Sequence, residues 1–231
     1  FTLSLVILLS SCTSGLSGEI KKETRNVKEF AGISLSIAAD VYLTQGNNHS
    51  LTIEADKEIL EKIVTEVSGS NLLIKTERGV RFNSWGNSSI KIHITMPDVK
   101  MLSVTGSGDI KAVTPISVKN LSTKITGSGD VLISDLTLKR LDVSVTGSGD
   151  IDFSGKVSAD DISVKITGSG DVTVKGIEFT DAEVSISGSG DAYLVAKENL
   201  EARILGSGDI TYSGNPLIDA KISGSGSLKN K

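Results

Sequence analysis

One tetrapeptide, Gly-Ser-Gly-Asp, recurs along the second half of this chain at a nearly fixed spacing, and that regularity restricts the fold more than any other feature. TGSGD stands at 105–109, 126–130, 146–150 and 167–171; SGSGD follows at 187–191, LGSGD at 205–209 and SGSGS at 223–227. Successive motifs begin at Gly106, Gly127, Gly147, Gly168, Gly188, Gly206 and Gly224, so the steps are 21, 20, 21, 20, 18 and 18 residues. Two glycines per motif account for fourteen of the 24 in the chain. A flexible linker has no reason to keep such a register, whereas a period near twenty is that of a stacked solenoid.

Around each motif apolar residues alternate with polar ones. In LDVSVTGSGDIDF (141–153), Leu141, Val143 and Val145 share one face, and Ile151 and Phe153 resume the same phase after the motif. The same six-residue step leads from Val104 to Ile110, Ile125 to Val131, Ile166 to Val172, Ile186 to Ala192 and Ile204 to Ile210. If the strand simply continues, both glycines point inward while Thr, Ser and Asp point outward. The motif then reads as a bend or tight corner where the wall comes too close to the axis to admit a Cβ. Twenty residues at about 3.3 Å each supply two or three strands plus corners. The expected fold is all-β, a single-stranded parallel β-helix with coils of about 20 residues.

Stacked rungs lie about 4.8 Å apart, so like residues sit over like. The corner is then built by Gly106 and Gly108, Gly127 and Gly129, Gly147 and Gly149, Gly168 and Gly170, Gly188 and Gly190, and Gly206 and Gly208. Asp109, Asp130, Asp150, Asp171, Asp191 and Asp209 form a ladder beside it. Such carboxylates repel by about 1 kcal/mol per neighbouring pair even in water. Backbone N–H groups, a neighbouring Ser hydroxyl or a cation must compensate. The last motif carries Ser227 where Asp would stand. That fits a ladder in which each Asp bonds the following rung, since the last rung has nothing to bond. Calcium-binding β-rolls also use Gly and Asp, but at a nine-residue period. One Asp per coil allows at most a weak calcium site shared between rungs, so no cofactor is expected and no metal ligand is assigned.

The N-terminal part is less regular. Residues 1–11, FTLSLVILLSS, are apolar and uncharged, and too short for a membrane span of about 20 residues. They run into LSSC (9–12), which resembles the lipobox of bacterial lipoproteins. On that reading 1–11 is a signal peptide truncated at its start, Cys12 is the lipid attachment site, and 12–26 is a tether to the membrane surface. Cys12 is the only cysteine, so no internal disulfide forms. Residues 27–231 read as one domain, with irregular N-terminal coils or a cap over 27–100 and the repeats over 101–231. ISLSIAADVYLTQ, HSLTIEA, NLLIKTE and SIKIHITMP read as strands, and DKEILEKIVTEV (56–67) has helical spacing at Ile59, Leu60 and Ile63. ERGVRFNSWGNSS (77–89) reads as a loop or hairpin tip whose Trp85 is a candidate sugar-stacking residue.

The lipobox, the segment FAGISLSIAADVYLTQG (30–46) and the tandem TGSGD coils together resemble the bacterial family described as putative auto-transporter adhesin, head GIN domain, found widely in Bacteroidota lipoproteins. The likeness runs from about Val27 to Leu228. It implies a right-handed β-helix, an outer-membrane lipoprotein exposed to the periplasm or the cell surface, and an adhesin role, and it brings no catalytic residues. Leu205 departs from the pattern, because it breaks the outward column of Thr and Ser before the motif.

Enzyme classes find little support. His49 and His93 are far apart in strand-like stretches and read as structural. Gly-Ser-Gly recurs in every coil, while a nucleophile elbow is normally unique, and no phosphate loop is present. Asp160 and Asp161, in SADDIS (158–163), are adjacent, so in a strand they face opposite ways and work together only in a corner. Net charge is −4 with no basic block, which argues against nucleic acid. The resulting expectation is a non-catalytic cell-envelope lipoprotein that contacts glycan or protein through flat solenoid faces, with Thr126, Thr146 and Thr167 as candidate binding residues. A carbohydrate-active β-helix enzyme and an envelope assembly scaffold are the alternatives. Oligomeric state is not set by the sequence.

Overall fold

The computed structural model describes residues 19–77, 79 and 89–231. The stretch read as a signal peptide, Cys12 and Trp85 lie outside the described residues, as does nearly all of the expected hairpin tip.

In the N-terminal part the chain forms β1 (Ile20–Arg25), β2 (Gly32–Leu35), β3 (Asp40–Gln45) and β4 (Ser50–Asp56). A single helical turn, α1 (Lys57–Leu60), precedes β5 (Ile63–Ser68), β6 (Asn71–Thr76) and β7 (Lys91–Met96). The repeats begin with β8 (Met101–Gly106), β9 (Asp109–Ala112), β10 (Ile116–Ser117), β11 (Asn120–Gly127), β12 (Val131–Ile133), β13 (Leu136–Thr137) and β14 (Arg140–Gly147). Long strands β15 (Ile151–Gly168), β16 (Val172–Gly188) and β17 (Ala192–Gly206) each bend through most of a coil. β18 (Ile210–Ser213), β19 (Leu217–Gly224) and β20 (Leu228–Asn230) complete the stack.

Parallel pairing builds the solenoid wall by wall. On the first wall β8 pairs with β11, β11 with β14, and the ends of β15, β16 and β17 carry the stack to β19. On the second, β9, β12, the starts of β15, β16 and β17, then β18 and β20 follow one another. A short third wall pairs β10 with β13 and continues in the middles of β15 and β16. Alternation places every second side chain inside. Val104, Ile125, Val145, Ile166, Ile186 and Ile204 form one buried column in strict register. These β-branched residues suit a pleated surface whose neighbours lie directly above and below. Size is balanced between rungs: buried Phe179 lies in register between Ala159 and Ala196.

The N-terminal coils do not wind in sequence order. β2 is paired on one side with β8 and on the other with β6, while β3 lies between β9 and β7. The coil containing β6 and β7 therefore sits outside the earlier one. Antiparallel strands then close this end, β5 on β6, β4 on β7 and β1 on β4. The helical spacing over 56–67 yields only the one turn of α1. Ile59 and Leu60 are buried under it, but Ile63 already belongs to β5, because pairing with β6 through the Gly69 turn satisfies backbone groups that a short helix would leave open. Arg25 fastens the cap. Its guanidinium donates to the carbonyl oxygens of Leu60 (2.8 Å) and Ile63 (2.6 Å) and to Thr65 Oγ1 (3.2 Å). At the opposite end, all eight residues of β19 are exposed.

Candidate functional site

The Gly-Ser-Gly-Asp motif makes the corner between the first and second walls. Its first glycine has φ between 109° and 138° in all seven motifs, a region closed to side chains with a Cβ. That glycine does not point inward as the alternation predicts. Only the second glycine, from Gly108 to Gly208, is buried against the core, whereas a Cβ on Gly147 would run along the stack and meet the Gly127 carbonyl oxygen at 2.2 Å. The positive φ re-aims the chain within one residue and keeps the phase of the flanking strands.

Hydrogen bonding explains why the rungs approach so closely. The carbonyl oxygen of Gly106 accepts the N–H groups of Ser128 (2.8 Å) and Gly129 (3.1 Å), and the same forked bond recurs at each later corner up to Gly206. One residue further on, Asp109 Oδ1 accepts the N–H of Asp130 at 2.8 Å. Asp130, Asp150, Asp171 and Asp191 repeat the bond to the Asp of the next rung at 2.7–2.8 Å. The ladder ends where Asp209 Oδ1 accepts both the N–H and the Oγ–H of Ser227, each at 2.8 Å. Backbone N–H groups thus supply the compensation that a column of carboxylates requires. Lys229 adds a bond to Asp209 Oδ2, which together with Ser227 holds that carboxyl at about 2, below the ordinary 3.8.

The outward groups fall on three parallel lines. Thr105, Thr126, Thr146, Thr167 and Ser187 form an exposed column on the first wall, interrupted by Leu205, which is 61% exposed. The motif serines, from Ser107 to Ser207, stand exposed at the vertex. The aspartates begin the second wall, where a shallow groove of about 450 Å³ runs past Asp109, Asp130, Asp150 and Asp171 and the outward side chains Lys111, Leu132 and Asp152. Threonine and aspartate columns therefore flank the vertex and do not share one flat face. Sequence reasoning missed a second glycine column at the next corner. A Cβ on Gly155 would meet the Leu136 carbonyl oxygen at 2.1 Å, and one on Gly214 the Ala196 carbonyl oxygen at 2.0 Å. Its signal in the sequence is only a Gly five residues after the Asp of three motifs, at Gly155, Gly176 and Gly214.

The other candidates are structural in setting. His49 Nε2 lies 2.8 Å from the Phe30 carbonyl oxygen, and its ring meets Phe30 edge-on. His93 stacks on Tyr42 and lies 3.6 Å from Glu54, whose carboxyl is held below its ordinary pKa chiefly by a hydrogen bond from Lys22. Asp160 and Asp161 do lie in a corner and both face out. Each meets a cation of the preceding rung, Lys139 at 3.7 Å and Arg140 at 2.5 Å. The Asp161 bond raises the Arg140 pKa. Among the described residues no cluster of His, Cys, Asp and Glu is arranged to hold a metal ion.

The solenoid with this corner has known counterparts. The family model described as putative auto-transporter adhesin, head GIN domain, matches residues 29–216. The chain belongs to this family. A crystal structure of a putative adhesin from Bacteroides fragilis is similar to the GIN-domain chain with a TM-score of 0.81 and 26% identity, over 93% of this chain and 98% of that one. A putative lipid binding protein from Parabacteroides distasonis gives 0.76 at 26% identity over the same shares. A putative adhesin from Parabacteroides distasonis shares the fold at 0.71 and 20% identity, again over 93% and 98%. No curated protein matches the chain.

Proposed function

We propose that this GIN-domain chain is a non-catalytic protein of the cell envelope that binds glycan or protein along the corner edge of its solenoid. The observation that carries this reading is the exposed column of Thr126, Thr146 and Thr167, identical groups one rung apart beside the serine vertex and the aspartate groove. A surface that repeats every rung, about 4.8 Å, suits an extended ligand that also repeats, because each further unit adds contacts at little additional ordering cost. Asp109, Asp130, Asp150, Asp171 and Asp191 engage Oδ1 in the ladder, which leaves Oδ2 as an acceptor for ligand hydroxyls. The adhesin names of the family and of the Bacteroides fragilis relative support the same direction. Attachment through a lipid on Cys12 completes the proposal. Seven residues lie between Cys12 and β1, so eight Cα–Cα steps give a reach of at most about 29 Å, and the N-terminal cap would lie nearest the membrane.

A glycan array probed with the protein, in calcium and again in chelator, tests the reading. Selective binding is expected, with loss in the triple variant Thr126→Val, Thr146→Val, Thr167→Val at an unchanged thermal midpoint. The substituted side chains keep their shape and strand preference, so loss of binding would report loss of hydroxyls. A separate variant, Lys111→Ala with Asp152→Ala, asks whether the groove contributes. Binding unaffected by both variants would remove the corner edge as the site.

A further inference from the structure

The two ends of the solenoid are finished differently. At the N-terminal end β1 is the outermost strand, and its sequence IKKETR carries four charged residues, which discourage further pairing. At the other end β19 forms a bare edge of eight exposed residues. Register with β17 assigns Ile218, Ala220 and Ile222 to the inward face, over Leu200, Ala202 and Ile204. Ile218 and Ile222 are nevertheless 47% and 45% exposed, because among the described residues no rung lies over them. Asp219 and Lys221 face outward, over Glu201 and Arg203.

The strand LIDAKIS (217–223) is nearly symmetric about Ala220. Turned end for end, Ile218 exchanges with Ile222 and Asp219 with Lys221. We propose that β19 pairs antiparallel with β19 of a second copy, across a two-fold axis at Ala220. In that register Ile218 lies opposite Ile222 of the second copy on the inward face, and Asp219 lies opposite its Lys221 on the outward face, twice per dimer. The acidic column Glu183, Glu201, Asp219 of one copy then meets the basic pair Lys221 and Arg203 of the other. A shift of two residues either way loses both matches.

The backbone agrees with this register. In a parallel sheet alternate residues direct their N–H and C=O to opposite neighbours. Ser122 donates to the Lys100 carbonyl oxygen on the N-terminal side, and the register carries that position through Asp142, Ser163, Glu183 and Glu201 to Asp219. By that alternation Asp219 and Lys221 bond back to β17, and Ile218, Ala220 and Ile222 present their groups outward. A two-fold at Ala220 pairs these three residues with one another, which satisfies all their N–H and C=O groups at once. The interface is isologous and closed, so it ends at a dimer without growing into a fibre, and it puts the two N-terminal caps at opposite ends of one doubled solenoid.

Sedimentation equilibrium of the full chain tests the proposal, with Asp219→Lys, Lys221→Asp and the double exchange alongside the wild type. Each single variant opposes like charges at two symmetric places, and its dimer dissociation constant is expected to rise at least about tenfold. The double exchange restores opposite charges and is expected to recover the wild-type value, an outcome that general loss of structure would not produce. Amide exchange at Ile218, Ala220 and Ile222 should slow as wild-type concentration rises. A wild-type chain that stays monomeric at every concentration overturns the proposal, as does a double exchange no tighter than the single variants.

Discussion

At the residue scale the corner rests on the first glycine of each motif, and two of these glycines separate the effects that require it. Gly106 and Gly147 both have positive φ, 109° and 124°. A Cβ on Gly106 would meet nothing within 4 Å, while one on Gly147 would lie 2.2 Å from the Gly127 carbonyl oxygen. Gly106→Ala therefore incurs backbone strain alone, about 1–3 kcal/mol. Gly147→Ala adds displacement of a rung that holds two hydrogen bonds to Gly127, at about 1 kcal/mol each. In urea titrations Gly147→Ala is expected to lose about 2 kcal/mol more than Gly106→Ala. Equal losses would mean that the rungs can separate freely.

At the scale of the element, the aspartate ladder is a column of side chains that each bond the backbone one rung on. Asp209 ends it and is the member whose carboxyl is most firmly held, by Lys229 first and Ser227 second. Its pKa in the folded chain, about 2, lies below the ordinary 3.8, so the folded state favours the charged form. The stability this contributes is present above 3.8 and is lost as pH falls through about 2. The thermal midpoint of the wild type should exceed that of Asp209→Asn at neutral pH, and the gap should close between pH 3.8 and about 2. A gap that persists at the lower pH would show that the ladder acts through shape rather than charge.

At the scale of the molecule, a solenoid is a one-dimensional stack whose ends decide its integrity. Arg25 spans from β1 to α1 and β5, and its part-buried guanidinium satisfies the carbonyl oxygens of Leu60 and Ile63. Arg25→Ala orphans both acceptors and is expected to cost about 2–3 kcal/mol. Arg25→Lys should recover little, since an ammonium cannot reproduce the planar fork that reaches three acceptors. Guanidinium unfolding of the three chains decides it, and full recovery by Lys would reduce the role of Arg25 to its charge.

The all-β fold, the length of the coils and the corner at each Gly-Ser-Gly-Asp were legible in the sequence, because a stack brings equivalent residues into contact and so writes its geometry as a period. Ser227 in place of Asp fitted a ladder that bonds forward, and the bond from Ser227 N–H to Asp209 has that direction. The direction of the first glycine was not legible. Alternation counts residues and carries no sign of φ, so Gly127 and Gly129 look alike until the rung beneath is placed. Helical spacing at Ile59, Leu60 and Ile63 was equally compatible with a turn followed by a strand, and pairing with β6 decided between them. Only the tertiary structure set the coil of β6 and β7 outside that of β2 and β3, divided the Thr and Asp columns between two walls, and left Ile218 and Ile222 uncovered at the end. Each depends on which segments become neighbours across long stretches of chain, and local sequence pattern does not encode that choice.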